Sequence, residues 1–273
     1  MLRFDINLAM TLTDVPPLAR FQRAADLGFG AVEFFWPADG NVDALVAAKE
    51  EAGVEVALFN MNAGDMAAGD RGFLSHPAQR DWWREAMLAA VDLAERLGCP
   101  RIHAVAGTRL PELARAAQID CAVENLLWAL PHLERAGVVA TVEALNVSDA
   151  PGFLLSRMDD MRGICRAVDA PQVRCQYDLY HMQRMEGNLI PTIRQHIDWI
   201  GHVQIADAPD RHQPGSGEIN FRNVLAALEA AGYTGSIGLE YVPRGTVEES
   251  LAWLPRAARR QAAPSDLRLW EGA

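Results

Sequence analysis

Short apolar runs recur along the chain, separated by stretches whose hydrophobic positions follow a helical period. Phe4-Asp5-Ile6-Asn7-Leu8 reads as a first strand, and a helix follows from Pro16-Pro17 to Leu27, stopped by Gly28. Proline suits a helix start because its missing N–H is unsatisfied there anyway, and glycine suits the left-handed residue just past the end. Ala31-Val32-Glu33-Phe34-Phe35 predicts a second strand, and residues 42–52, closed by Gly53, a second helix. Residues 54–59 predict a third strand, 78–97 a long amphipathic helix ending at Gly98, 101–105 a fourth strand, and 116–136 the next helix. Four further runs follow: Val138-Val139-Ala140-Thr141-Val142-Glu143, Val173-Arg174-Cys175-Gln176-Tyr177-Asp178, His202-Val203-Gln204-Ile205 and Ser236-Ile237-Gly238-Leu239-Glu240. Helices are expected near 158–168, 189–196, 221–231 and 247–260.

Such strand–helix alternation predicts a parallel α/β protein. A length of 273 residues suits one (β/α)8 TIM barrel, typically about 250 residues. Residues 1–258 are assigned to a single barrel domain and 259–273 to a polar, proline-containing C-terminal tail. The long glycine-bearing segment 60–77, on the expected active-site face, is a lid candidate. Trp82-Trp83 are read as packing residues.

Half the chain is hydrophobic, enough for a sizeable core. A formal net charge of −11 opposes attraction to nucleic acid or to an anionic membrane surface, while leaving room for a local basic pocket. Cys99, Cys121, Cys165 and Cys175 form no CxxC pair and read as buried free thiols. Charges in Met1-Leu2-Arg3-Phe4-Asp5 stand where a signal peptide is apolar, and no apolar run approaches the roughly 20 residues of a membrane span. A cytoplasmic protein is the expectation.

Each of the last four strand runs brings a polar residue to its C-terminal end: Glu143, Asp178, Gln204 and Glu240. A carboxylate at a buried strand end is costly unless paired or holding a cation. Four such polar strand ends at the mouth of one barrel imply a divalent metal and an enzyme. Three carboxylates and an amide supply only oxygen, which hard cations such as Mg²⁺ or Mn²⁺ prefer. A metal polarising a carbonyl and its neighbouring hydroxyl, with carboxylates close by, can move a proton between adjacent carbons. His181, three residues after Asp178, reaches the same pocket as a substrate hydrogen-bond donor. Arg211 is a bidentate clamp for a carboxylate, its alternative being a surface pair with Asp210. Glu218 is read as a cap or loop anchor, and His103 lines the cavity or belongs to the core.

The stretches Gln176-Tyr177-Asp178-Leu179-Tyr180-His181-Met182-Gln183-Arg184-Met185-Glu186-Gly187 and Gln204-Ile205-Ala206-Asp207 through Asn220 strongly resemble the hydroxypyruvate isomerase family. Ala63-Gly64-Asp65-Met66-Ala67-Ala68-Gly69-Asp70-Arg71-Gly72 is similar to that family's loop after its third strand. The wider group is the xylose-isomerase-like barrels, with sugar isomerases and ketose 3-epimerases. The resemblance implies a metal held by Glu143, Asp178, Gln204 and Glu240, with Glu143 and Glu240 as the acid/base pair. It also implies substrate-binding roles for His181 and Arg211. Related ketose epimerases usually carry His at the third metal position, so Gln204 favours the isomerase branch. Two departures are Glu143-Ala144-Leu145-Asn146, where the family commonly has a Glu-Pro-Ile-Asn or similar run, and Val242, where it often has Lys. The expected reaction is aldose–ketose isomerisation of a small keto or hydroxy acid, such as hydroxypyruvate to 2-hydroxy-3-oxopropanoate (tartronate semialdehyde), through an enediolate. Rivals are a 2-oxo-tetronate isomerase, a ketose 3-epimerase and, from another class, a metal-dependent phosphodiesterase of the AP-endonuclease type. The expected partner is thus a small molecule, with no nucleic acid and no membrane, and a homo-oligomer is left open.

Overall fold

The computed structural model describes residues 1–37 and 40–269. Its strands are β1 (Leu2–Asn7), β2 (Ala31–Phe34), β3 (Glu55–Asn60), β4 (Arg101–His103), β5 (Val139–Glu143), β6 (Val173–Asp178), β7 (Ile200–Ile205) and β8 (Ser236–Leu239). They pair in parallel in chain order, and β8 pairs back to β1 through Phe4↔Ile237 and its neighbours, closing a (β/α)8 barrel. Around it lie α1 (Ala19–Leu27), α2 (Val42–Ala52), α3 (Arg80–Leu97), α4 (Arg115–Ala136), α5 (Met158–Val168), α6 (Leu179–Met185), α7 (Leu189–His196), α8 (Phe221–Ala230) and α9 (Val247–Ser250). None of the described helices is long and apolar enough to cross a membrane.

Local chemistry explains the elements. α3 buries Trp83, Met87, Ala90, Val91, Ala94 and Leu97, the three- and four-residue spacing of one helical face, and stops at Gly98 with φ 64°. Trp83 is core, whereas Trp82 packs edge-on against Phe73 at 4.9 Å. α6 was not anticipated from the sequence. Asp178 starts it by accepting the Tyr180 N–H on Oδ1 at 2.8 Å, so a strand end doubles as a helix cap. The helix expected over 247–260 is only one turn, α9, because Pro255 has no N–H to donate and its ring crowds the preceding turn. Beyond it, β9 (Gln261–Ala262) pairs antiparallel with β1, and Leu267 is buried. The last four residues of the segment assigned as a tail lie outside the described residues.

The barrel interior is polar. On β1, β6 and β7, the buried apolar residues Phe4, Ile6, Cys175, Tyr177, Val203 and Ile205 alternate with buried Asp5, Asn7, Gln176, Asp178, His202 and Gln204. Glu33 on β2 bonds His202 on β7 at 2.8 Å although two strands separate them, so these side chains meet inside the barrel. Glu33 crosses that space because residue 238 has no side chain: a Cβ there would lie 2.3 Å from Glu33 Oε2. Burial pushes both Asp5 and Glu33 up to about 7.

Candidate active site

Glu143 and Asp178 end β5 and β6, Gln204 is the penultimate residue of β7, and Glu240 follows β8. All four are buried. Glu143, Asp178 and His181 each offer an atom within 4.8 Å of the others. Glu240 stands outside this cluster, joined to it by Arg211, whose Nη2 donates to Glu240 Oε2 at 2.6 Å and lies 3.6 Å from Asp178 Oδ2. Gln204 is held by the interior network. Its Nε2 donates to Glu33 Oε1 at 2.8 Å, and its Oε1 accepts from Gln176 Nε2 at 2.6 Å. The network reaches Glu240 by another route, since Asn7 Nδ2 donates to both Glu33 Oε1 (2.9 Å) and Glu240 Oε1 (3.2 Å).

A cavity of about 1180 Å³ opens over this end of the barrel. Glu143, Glu240, His103, His181 and Arg211 are on its wall, while Asp178 and Gln204 sit behind it. The segment after β3 forms another wall, from Asn60 to Arg71, with Trp36 and Trp82 beside it. The lid candidate therefore does border the site.

Burial, then the charges of Glu240 and Asp178, push Glu143 well above the usual carboxylate range. Glu240 rises to about 8, again through burial, with Arg211 pulling it down. Asp178 is raised by burial against the same Arg211. Burial opposes the Arg211 charge, but Glu240 and Asp178 outweigh it and strengthen the guanidinium's hold on its proton. Two acids facing one cavity and held above the ordinary carboxylate range are suited to giving and taking protons.

The histidines are neutral donors and acceptors. Burial lowers His181 well below its ordinary value and His103 to about 3. His181 Nδ1 accepts the Asn146 backbone N–H at 3.1 Å, which leaves the ring proton on Nε2, 3.6 Å from Asp178 Oδ2. His103 Nδ1 meets Asn60 Oδ1 at 3.2 Å, an acceptor, so its proton sits there and its Nε2 lone pair faces Glu143 Oε2 at 3.6 Å.

Arg211 is positioned by a loop that Asp207 builds. The buried Asp207 carboxylate accepts four backbone N–H groups, from Ala208 (3.0 Å), Gly215 (2.9 Å), Gly217 (2.9 Å) and Ile219 (3.0 Å). Within this frame Arg211 takes φ 59° and lies over the Tyr180 ring at 5.2 Å. Glu218 instead accepts from Gln183 at 3.2 Å on the surface. Sequence reasoning missed Asp207, Glu33 and Asn7. The available signal was an acidic or amide residue inside an apolar run, as in Val32-Glu33-Phe34 and Phe4-Asp5-Ile6-Asn7.

Comparison with known proteins places this geometry among relatives. Residues 21–257 match the family described as xylose isomerase-like TIM barrel. The chain is 39% identical over 255 residues to hydroxypyruvate isomerase of Escherichia coli (strain K12), covering 93% of this chain and 98% of that one. It is 38% identical over 254 residues to 2-oxo-tetronate isomerase of Cupriavidus necator, with the same coverage. A solved structure described as an AP endonuclease, family 2, from Brucella melitensis superposes with TM-score 0.91 at 38% identity, covering 96% of this chain and 100% of that one.

Proposed function

The chain belongs to the xylose isomerase-like TIM barrel family, and from that premise we propose that it isomerises a small keto or hydroxy acid, of which hydroxypyruvate is the first choice. The observation that carries the reading is the pair Glu143 and Glu240. They face one cavity, and both are held above the ordinary carboxylate range by burial. One removes the proton from C3 of hydroxypyruvate, and the C3–H electrons move into an enediolate across C2 and C3. The other delivers a proton to C2, while the hydroxyl proton passes from O3 to O2, giving 2-hydroxy-3-oxopropanoate. The His181 Nε2–H, and Arg211 where it borders the cavity, are placed to donate to the oxygen on which charge develops. Trp36, Trp82 and the Asn60–Arg71 wall border the cavity in which the intermediate would form.

Glu143 Oε1 and Asp178 Oδ2 are buried oxygens with no hydrogen-bond partner, which fits a hard divalent cation. Glu143, Asp178, Gln204 and Glu240 would hold Mg²⁺ or Mn²⁺, and bound there it would supply polarisation of a substrate carbonyl. For Gln204 this uses the second lone pair of an oxygen already accepting from Gln176.

The cavity is also large enough for a four-carbon acid, so 2-oxo-tetronate is the second reading, supported by the nearly equal identity to such an isomerase. Gln204 in place of histidine disfavours a ketose 3-epimerase. The AP-endonuclease name of one relative is disfavoured by a net charge of −11 and by candidate metal clusters that hold one histidine each among the described residues. A panel of three- to six-carbon keto acids and ketoses, assayed with Mg²⁺ and with EDTA, tests the proposal. Turnover of a three- or four-carbon acid supports it. Turnover confined to neutral ketoses, or to abasic DNA, overturns it.

A further inference from the structure

An anionic substrate entering this cavity meets an acidic wall: Glu143, Glu240, Asp65, Asp70 and Asp149 all border it. Its histidines, His103 and His181, are neutral. Of the two arginines on the wall, Arg211 is tied to the reacting end, its Nη2 pairing with Glu240 at 2.6 Å and Asp178 at 3.6 Å. The other is Arg71, on the segment after β3.

Arg71 is held differently. Its Nη1 donates to two backbone carbonyls, Met66 O at 3.1 Å and Asp70 O at 2.7 Å, and it pairs with no carboxylate among the described residues. The neighbouring acids are turned away from it. Asp70 Oδ2 accepts the Asp65 N–H at 2.8 Å, and Asp65 Oδ1 accepts from Ala67 and Ala68 at 3.0 and 3.1 Å. Nε and Nη2 therefore remain without a hydrogen-bond partner among the described residues. These two lie side by side in the fork that matches the two oxygens of a carboxylate. The backbone around it is rigidly placed, since Gly72 packs so closely on β4's extension that a Cβ there would lie 2.3 Å from Val105 O.

We infer that Arg71 is the specificity-determining residue of this site, taking the substrate's carboxylate on Nε and Nη2. This rests on the reading of the chain as an isomerase of small acids. Arg211 then serves the reacting end, and the carboxylate points to the wall formed by the segment after β3. The ligand class is a 2-keto or 2-hydroxy acid rather than a neutral sugar of the same length.

The test compares hydroxypyruvate with its neutral counterpart, dihydroxyacetone, in wild type, Arg71→Met and Arg71→Lys. Loss of a charge-assisted bidentate contact raises KM for hydroxypyruvate roughly 10- to 100-fold, with kcat within a few-fold. The kcat/KM ratio of acid to neutral substrate falls by the same factor in Arg71→Met, and Arg71→Lys recovers part of it. If the variants turn over both substrates equally badly, Arg71 only supports its segment and the inference is overturned. If KM for the acid is unchanged in Arg71→Met, it is overturned as well. If the wild type isomerises no acid at all, the functional reading fails first and this inference goes with it.

Discussion

Replacing Gly238 by alanine puts a methyl group into the polar centre of the barrel. The new Cβ lies 2.3 Å from Glu33 Oε2, 2.6 Å from its Cδ and 2.8 Å from Oε1. To reach ordinary van der Waals distance the carboxyl group must retreat by about 1 Å. That retreat stretches its 2.8 Å bonds to His202 and Gln204 and its 2.9 Å bond from Asn7 beyond hydrogen-bonding range. Overpacking costs about 1–3 kcal/mol, and buried donors left without their acceptor add a similar amount, so a loss of roughly 3 kcal/mol or more is expected. Urea unfolding measures it. Glu33→Ala alone is also destabilising, because it strands the His202 and Gln204 donors and leaves Asn7 Nδ2 with Glu240 alone. In the double variant the new methyl occupies the space the carboxylate left. Its stability should therefore match that of Glu33→Ala rather than the sum of the two losses, a coupling equal to the whole Gly238→Ala loss, about 3 kcal/mol. Additive losses within about 0.5 kcal/mol would refute the claim that Glu33 needs a bare residue 238 to cross the barrel.

Asp207→Ala removes the acceptor of four backbone N–H groups, so stability falls by about 2 kcal/mol and turnover at least tenfold as Arg211 loses its frame, read by denaturation and initial rates. Unchanged turnover would show that the loop holds Arg211 without it. Asp5 is raised from 3.8 to about 7 by burial. Its contribution to stability is therefore full below its unfolded value and is lost as pH rises through about 7. Asp5→Asn should gain on the order of 2 kcal/mol relative to wild type between pH 5 and pH 8, and parallel pH profiles of the two proteins would contradict this. Treatment with EDTA should remove activity, with recovery on adding Mg²⁺ or Mn²⁺. Glu143→Gln and Asp178→Asn should both weaken metal retention measured by elemental analysis, and full retention in both would place the cation elsewhere.

Strand ends and their spacing are legible in the sequence, because a carboxylate closing an apolar run violates the burial pattern around it. Glu143, Asp178, Gln204 and Glu240 all occupy the C-terminal end of the barrel as that pattern requires. The position of His181 was also readable, since three residues along a chain is one turn. Partners across the barrel were not. Glu33 lies 169 residues from His202 and 171 from Gln204, and nothing local to any of them announces the contact. α6 escaped notice because its cap, Asp178, already read as a strand end. Asp207 escaped because its four partners are backbone groups, which carry no side-chain signature. What the sequence conveys is where polar atoms are buried; which of them satisfy one another is a property of the closed barrel.

The proton-transfer pair is tested most directly by isomerising hydroxypyruvate in D₂O and fixing the label at once by borohydride reduction to glycerate, beside an enzyme-free control. Enzyme-dependent deuterium is expected at C2, lost together with turnover in Glu143→Gln and Glu240→Gln. Product formed at the full enzymatic rate with no deuterium at C2 would mean that the hydrogen passes from C3 to C2 without solvent exchange, by hydride shift or on a single base, and would contradict the separate roles given to Glu143 and Glu240.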